Sequence, residues 1–248
     1  MKKLVATACA GVLGVITAHA AFDGTLSLSA GPYQNSSGGE FTATATGLGT
    51  FQTFCLEFSE GFNFGGTYDF RKNTGAVVGG GNTASPIPTD PTTGLTMDNI
   101  SIGTAYLYSQ FRAGTLTDNL GHNYFTFGNR KDNAGLLQNA FWMLEDEIGP
   151  GSPLYNLNNP YLLKAESALG GSSLSDIHGD SNGAYDVVAL NLFNGPNYQD
   201  VQNPAGVHFH INQDQLGIIP EPSTVIAGAL LVLPFGASVV RIVRRKVA

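Results

Sequence analysis

Residues 51–58, FQTFCLEF, read at the strand period of two, put Phe54, Leu56 and Phe58 on one face and Thr53, Cys55 and Glu57 on the other. Cys55 then points away from the aromatic face. Residues 136–142, LLQNAFW, read differently. Leu137, Ala140, Phe141, Leu144 and Ile148 recur at helical spacing as one apolar stripe, with Gln138, Trp142 and Glu145 along its flank. A chain that packs such a strand against such a helix belongs to a mixed class.

The remaining segments agree. From residue 22 the chain reads as short strands: DGTLSLSA, FTATAT after a turn-rich stretch at 31–39, the Cys55 strand, and residues 67–70. Residues 71–99, mostly Gly, Asn, Thr and Pro, predict a long loop. A helix is predicted over 100–112, capped by Asp98 or Asn99 and ended by Gly114. The LQNAFW helix takes Asp132 or Asn133 as its cap and stops at Gly149-Pro150. A third helix over 161–169 is bracketed by Asn159-Pro160 and Gly170-Gly171. Strands return over 185–193 and 207–211, and residues 212–219 read as a linker, with 216–222 outside the domain. The expectation is one α+β domain over roughly 21–215, a mostly antiparallel β-sandwich or barrel-like sheet with an inserted helical segment.

Composition supports short strands. Of the 248 residues 42% are apolar, enough for a sizeable core, while 32 glycines and only 12% charged residues favour strands and turns over a helical bundle. Six of the 12 basic residues (Lys2, Lys3, Arg241, Arg244, Arg245 and Lys246) lie in the terminal segments. The six that remain stand against all 19 acidic residues, a charge of −13 for the middle. Such a body repels phosphate backbones and anionic lipid, so nucleic acid is not an expected partner.

The two ends carry addresses. Residues 1–20 have two lysines, an apolar run and Ala18-His19-Ala20 as a cleavage site, the three parts of a secretory signal peptide. Cys9 sits in that apolar run and leaves with it, so Cys55 is the single mature cysteine. At the other end Pro220-Glu221-Pro222 precedes an apolar run over 223–240, near the lower limit for a membrane-spanning helix, and a basic tail over 241–248 that the positive-inside rule keeps cytoplasmic. The order Pro-Glu-Pro, short span, basic end resembles the PEP-CTERM sorting signal of Gram-negative bacteria. That resemblance implies an exosortase-type protease as partner, a membrane-anchored precursor, and a destination at the cell surface or in an extracellular polysaccharide matrix. It is an address and says nothing of activity.

A lone cysteine outside the cytoplasm cannot close an intramolecular disulfide. It is buried and inert, or paired with another chain, or held in some other covalent bond. The last option brings in Gln138, since a cysteine thiolate can attack a glutamine carboxamide, expel ammonia and leave an internal thioester if the groups are held together and water is kept out. FCLE and LQNAFW resemble the thioester domains of bacterial surface adhesins, in which an aromatic-Cys-apolar-acidic-or-polar segment pairs with an apolar-Gln-x-Ala-apolar-Trp segment. The matching positions are Cys55 and Gln138, with Ala140 and Trp142 after the glutamine. The resemblance implies an electrophile that acylates an amine on a target. Those adhesins are Gram-positive and wall-anchored, whereas the sorting context here is Gram-negative. Glu57 and Glu145 are expected near the same junction, as proton carriers or as surface acids.

Other constellations are weaker. Asp176, Asp180, Asn182 and Asp186 are oxygen donors that a Ca²⁺ ion accepts, but their spacing is not that of an EF-hand loop, and a turn is the expectation. His208 and His210 share a strand face without a nearby carboxylate or cysteine in sequence. No G-x-S-x-G is present, and neither an enzyme nor a cofactor is expected. The functional expectation is therefore covalent adhesion to amines, against two alternatives: a non-covalent polysaccharide or biofilm matrix protein, and a glycan-active enzyme.

Overall fold

The computed structural model describes residues 22–35, 38–78 and 87–219. The expected signal peptide, the expected sorting signal with its spanning segment and basic tail, and part of the predicted loop lie outside the described residues. Among the described residues no helix is long and apolar enough to cross a membrane.

The first four strands form because Leu, Phe, Ala and Tyr alternate with Thr, Ser and charged residues. β1 (Gly24–Ser29), β2 (Phe41–Ala45) and β3 (Gly49–Thr53) pair antiparallel, with Leu26 opposite Ala45 and Ala43 opposite Phe51. These side chains turn inward. On the outer face Thr44 and Thr50 join through their hydroxyls at 3.0 Å. β4 (Thr67–Asn73) continues the sheet and buries Tyr68 and Phe70.

The predicted loop over 71–99 is partly strand. β4 runs to Asn73, and β5 (Gly75–Val77) pairs with β6 (Met97–Asn99) as a separate two-stranded sheet. Asp98 and Asn99, expected to cap a helix, therefore lie in β6. The cap of α1 (Ile102–Arg112) is Ser101, whose hydroxyl accepts from Thr104 N at 3.1 Å. α2 (Arg130–Leu144) likewise starts earlier than Asp132, at Asn129, and ends before Gly149-Pro150. α3 (Pro160–Leu169) has the expected Asn159 cap and a left-handed Gly170 after it, at φ 75°.

β7 (Val187–Phe193), β8 (Gln199–Gln202) and β9 (His208–Ile218) complete a seven-stranded antiparallel sheet in the order β3-β2-β1-β4-β7-β9-β8. All seven residues of β7, VVALNLF, are buried, because α1 packs against the strand on one side and β5 on the other. Among the described residues there is no sandwich of two comparable sheets: the seven-stranded sheet carries the fold, and the two-stranded β5–β6 sheet packs on it. The larger sheet curls. Beyond Thr53 the chain leaves β2 and pairs with β9, through Leu56 N to Asp214 O and Leu216 N to Phe54 O, both 3.0 Å, with Cys55 opposite Gln215.

This crossing changes the reading of 51–58. The strand is broken after Thr53, so Phe54, Cys55, Leu56 and Glu57 are all buried, while Phe58, placed on the face of Phe54 by strict alternation, is 47% exposed. Phe54 packs edge-on against Phe111 of α1 and Phe141 of α2, with ring centroids 5.1 and 5.2 Å apart. The linker expectation over 212–219 is also overturned. β9 continues through Ile218, and its polar residues Asn212, Gln213, Asp214 and Gln215 are buried with hydrogen-bond partners in β5, β7, the turn after β7 and the Cys55 segment. The domain accordingly extends past 215.

Candidate functional site

The site is where the Cys55 segment passes between β9 and α2. In an antiparallel ladder a residue that is not itself hydrogen-bonded to its partner strand turns its N–H and C=O to the other side. Cys55 does so, on the side where β2 has already ended. Gln138 of α2 takes the vacant strand's place. Cys55 N–H donates to Gln138 Oε1 at 3.0 Å, and Gln138 Nε2 donates to Cys55 O at 2.8 Å. The carboxamide thus pairs with both backbone groups of one residue, and its carbon faces the Cα that carries the thiol.

Both side chains are buried. Gln215 Nε2 approaches Cys55 Sγ at 3.6 Å. Burial pushes the Cys55 thiol well above its usual range, with the donated hydrogen bond from Gln215 opposing and the charge of Glu60 adding to the rise. The free thiol is protonated and protected, so its reactivity depends on the partner presented to it.

Cover comes from segment 38–40. Gly38 has φ +105°, and a Cβ there would lie 2.8 Å from Gln138 Cγ and 3.0 Å from the Trp142 ring. Only glycine lets the backbone lie this close over the glutamine. The next residues are held down by a clasp: Glu40, fully buried, accepts two parallel bonds from Arg130 at 2.9 Å each and one from Tyr124. Trp142 lies beside Gln138 and meets the Phe58 ring edge-on at 4.9 Å.

Cys55 and Trp142 line an open cleft of about 530 Å³ together with Phe58, Glu60 and Gln213. Glu57 sits behind it. Its carboxyl is pushed well up by burial, then by Asp214 and Glu60. Glu60 itself is raised to about 7, by burial first, with Glu147 adding to the rise and Glu57 opposing it. Glu57 is therefore near the junction as expected, though as a buried acid.

Glu145 is not. It lies at the far end of α2, where its carboxylate accepts from Ser101 N at 3.2 Å and Ser101 Oγ at 2.8 Å and so joins the start of α1 to the end of α2. Burial raises it to about 7 against those bonds. The folded state thus holds the proton at a pH where the unfolded chain has lost it, and this contribution is full below the ordinary value of 4.5 and fades as pH rises through 7. The urea midpoint should fall between about pH 5 and about pH 8, and Glu145→Gln, which cannot ionise, should remove a share of that slope on the order of 3 kcal/mol. An unchanged slope in E145Q would show that the carboxyl is already ionised in the folded protein.

The oxygen donors proposed for Ca²⁺ do not converge. Asp176 caps its own turn, accepting from the N–H groups of Ser172 and Ser173, and Asp180 accepts from Asn99. Asn182 donates to the Asp180 carbonyl, and Asp186 lies in the next turn with φ 57°. Among the described residues no three His, Cys, Asp or Glu side chains are grouped to hold a metal ion. His208 contacts Asp200 at 3.1 Å and His210 stacks on Tyr198, so the two have separate partners.

Sequence reasoning missed Glu60, Gln215 and the Gly38-Gly39-Glu40 cover. A signal existed for two of them: Glu60 follows Cys55 by five residues in the same segment, and consecutive polar residues at 213–215 interrupt an otherwise strand-like run. Compared with known proteins, the chain matches no family model, no curated protein and no solved structure.

Proposed function

We propose that this chain is an exported surface protein in which Cys55 and Gln138 condense to an internal thioester that captures amines covalently. The observation that carries the reading is the double hydrogen bond between the Gln138 carboxamide and the backbone of Cys55, at a covered seam on the floor of an open cleft. Holding the two groups in one geometry supplies the proximity that the reaction needs. The Cys55 sulfur adds to the Gln138 carbonyl carbon, the C–N bond breaks, and the thiol proton leaves with the nitrogen as ammonia. Throughout, the Cys55 N–H points at the carbonyl oxygen, where charge develops. An incoming amine then displaces sulfur and remains attached to Gln138 as an amide.

The placement at the cell surface or in a polysaccharide matrix, the exosortase-type partner and the membrane-anchored precursor rest on residues 1–20 and 220–248 and belong to the same proposal. The seven-stranded antiparallel sheet gives the seam its floor.

Intact-mass measurement tests the reading. The mature protein should be lighter than its sequence by one ammonia, should gain one methylamine at Gln138, and should expose one titratable thiol at Cys55 as it does so. A protein of full sequence mass with a titratable Cys55 would remove the thioester. A chain retained in matrix after Cys55→Ala as firmly as before would favour the non-covalent alternative.

A further inference from the structure

The cleft above Cys55 has an unusual charge balance. Its described lining contains no Lys, Arg or His and one carboxyl group, Glu60. Around that group stand Phe58, Phe62, Phe64 and Trp142, and the rings of Phe41, Phe62 and Phe64 lie within 5.8 Å of one another. Phe58 and Phe64 are about half exposed at the mouth. Ring faces and a carboxylate without a cation attract the same ligand, a positive charge on an aliphatic stem.

The carboxyl is also built to move a proton. Glu57 and Glu60 lie two and five residues after Cys55 in one segment and bear on one another's charge, and each has a buried oxygen, Oε2 of Glu60 and Oε1 of Glu57, with no protein donor. Two carboxyl groups in that position hold one proton between them, because both cannot ionise side by side away from water. The groups that bear on Glu60 are all acidic or neutral: Glu57 and Cys55 on its own segment, Glu147 just past α2, which accepts from Phe58 N at 2.9 Å, and Asp214 on β9.

Resting on the thioester reading, we propose that Glu60 is the catalytic residue of capture: it admits the nucleophile as a protonated primary alkylamine, takes its proton, and returns a proton to the Cys55 sulfur. The ammonium gives one proton to the Glu60 carboxylate, and the freed lone pair forms a bond to the Gln138 carbonyl carbon. The carbon–sulfur bond breaks with its electrons on Sγ, which receives the proton held by the acid pair. The second nitrogen proton passes to the vacated carboxylate and leaves to solvent through the open cleft. The products are an amide at Gln138 and a thiol at Cys55. The substrate class is a primary ammonium on an extended stem, and hydroxyl groups of polysaccharide are excluded.

The test uses the mature protein, Glu60→Gln and methylamine at one fixed total concentration, followed by intact mass across about pH 6 to about pH 8. Methylamine stays protonated over this range, so a wild-type rate governed by the Glu60 carboxylate climbs through about 7 and then levels off. E60Q should keep the one-ammonia deficit, capture about 100-fold more slowly, and show a rate that climbs about tenfold per pH unit without levelling, as unassisted attack by free amine does. Wild-type speed and profile in an E60Q protein that carries the deficit would overturn the proposal. So would a deficit present in the wild type and missing in E60Q, which would assign Glu60 to forming the bond and not to capture. If E60Q does not fold, the wild-type profile decides, and a rate that keeps climbing past pH 8 overturns the assignment. No deficit in either protein removes the thioester and this proposal with it.

Discussion

Replacing Gln138 by alanine should abolish amine capture and lower the stability of the domain by roughly 3–5 kcal/mol. The first effect follows from the reading of the site, since among the described hydrogen bonds no other carboxamide pairs with the backbone of Cys55. The second follows from geometry alone. Without Gln138 the N–H and C=O of Cys55 are left buried between β9 and α2, where water cannot replace the bonds now made at 3.0 and 2.8 Å. Each orphaned group costs about 1–3 kcal/mol, and the emptied space under Gly38 and Trp142 adds to it. Gln138→Glu separates the two effects. A carboxylate keeps an acceptor for Cys55 N–H and most of the volume, so its loss of stability should be smaller, yet it has no ammonia to expel. Urea unfolding read beside intact mass checks both. A Q138A protein as stable as the wild type would mean that the pairing seen at the seam is not what holds it together.

Asp214→Ala should be nearly as damaging, by roughly 3–5 kcal/mol, which is a large share of the 5–15 kcal/mol that holds a typical domain folded. Asp214 is fully buried on β9 and gathers three donors: Val77 N at 2.7 Å, Asn191 Nδ2 at 2.6 Å and Leu192 N at 2.9 Å. The last lies where the β7–β9 register shifts between Leu190 and Leu192, so the carboxylate occupies the position that the irregular ladder leaves unpaired. The first ties the two-stranded sheet to the main one. Alanine removes all three acceptors at once. Asp214→Asn retains one carbonyl and should lose about half as much. Because Asp214 O also receives Leu56 N, the damage should spread to the Cys55 segment, and faster hydrogen exchange at the Leu56 amide in D214A would report it. Unchanged exchange there would show that the two ends of the seam open independently.

Much of the secondary structure was legible because it depends on short-range pattern. The Thr-rich alternation of β1 and β2, the Asn-Pro start and Gly end of α3, and the apolar stripe of α2 are local signals, and local sterics and capping decide them. The caps of α1 and α2 were misplaced for a related reason. Several Asp, Asn and Ser residues stood within one turn of each start, and the choice among them fell to tertiary contacts, such as the pairing of Asp98 and Asn99 with β5. The polar run Asn212-Gln213-Asp214-Gln215 was misread as a linker because polarity alone resembles exposure. It is buried because hydrogen-bond partners from β5, β7 and the Cys55 segment converge on it, and those partners lie up to 160 residues away in sequence.

The amino-acid sequence by itself determined that the body mixes strands with three helices, and it supplied the expectations of export and sorting signals at the two ends and of Cys55 and Gln138 as the candidate reactive pair. Motif chemistry and periodicity are properties of neighbouring residues, and they survive without a fold. The tertiary structure alone decided that the Cys55 segment leaves one strand for another, that Gln138 fills the gap this opens, that Glu60 stands in the cleft while Glu145 serves the helices, and that Gly38 lies over the glutamine. These depend on how the sheet curls, and curling is set by the summed packing of both sheet faces, which no single stretch of sequence contains.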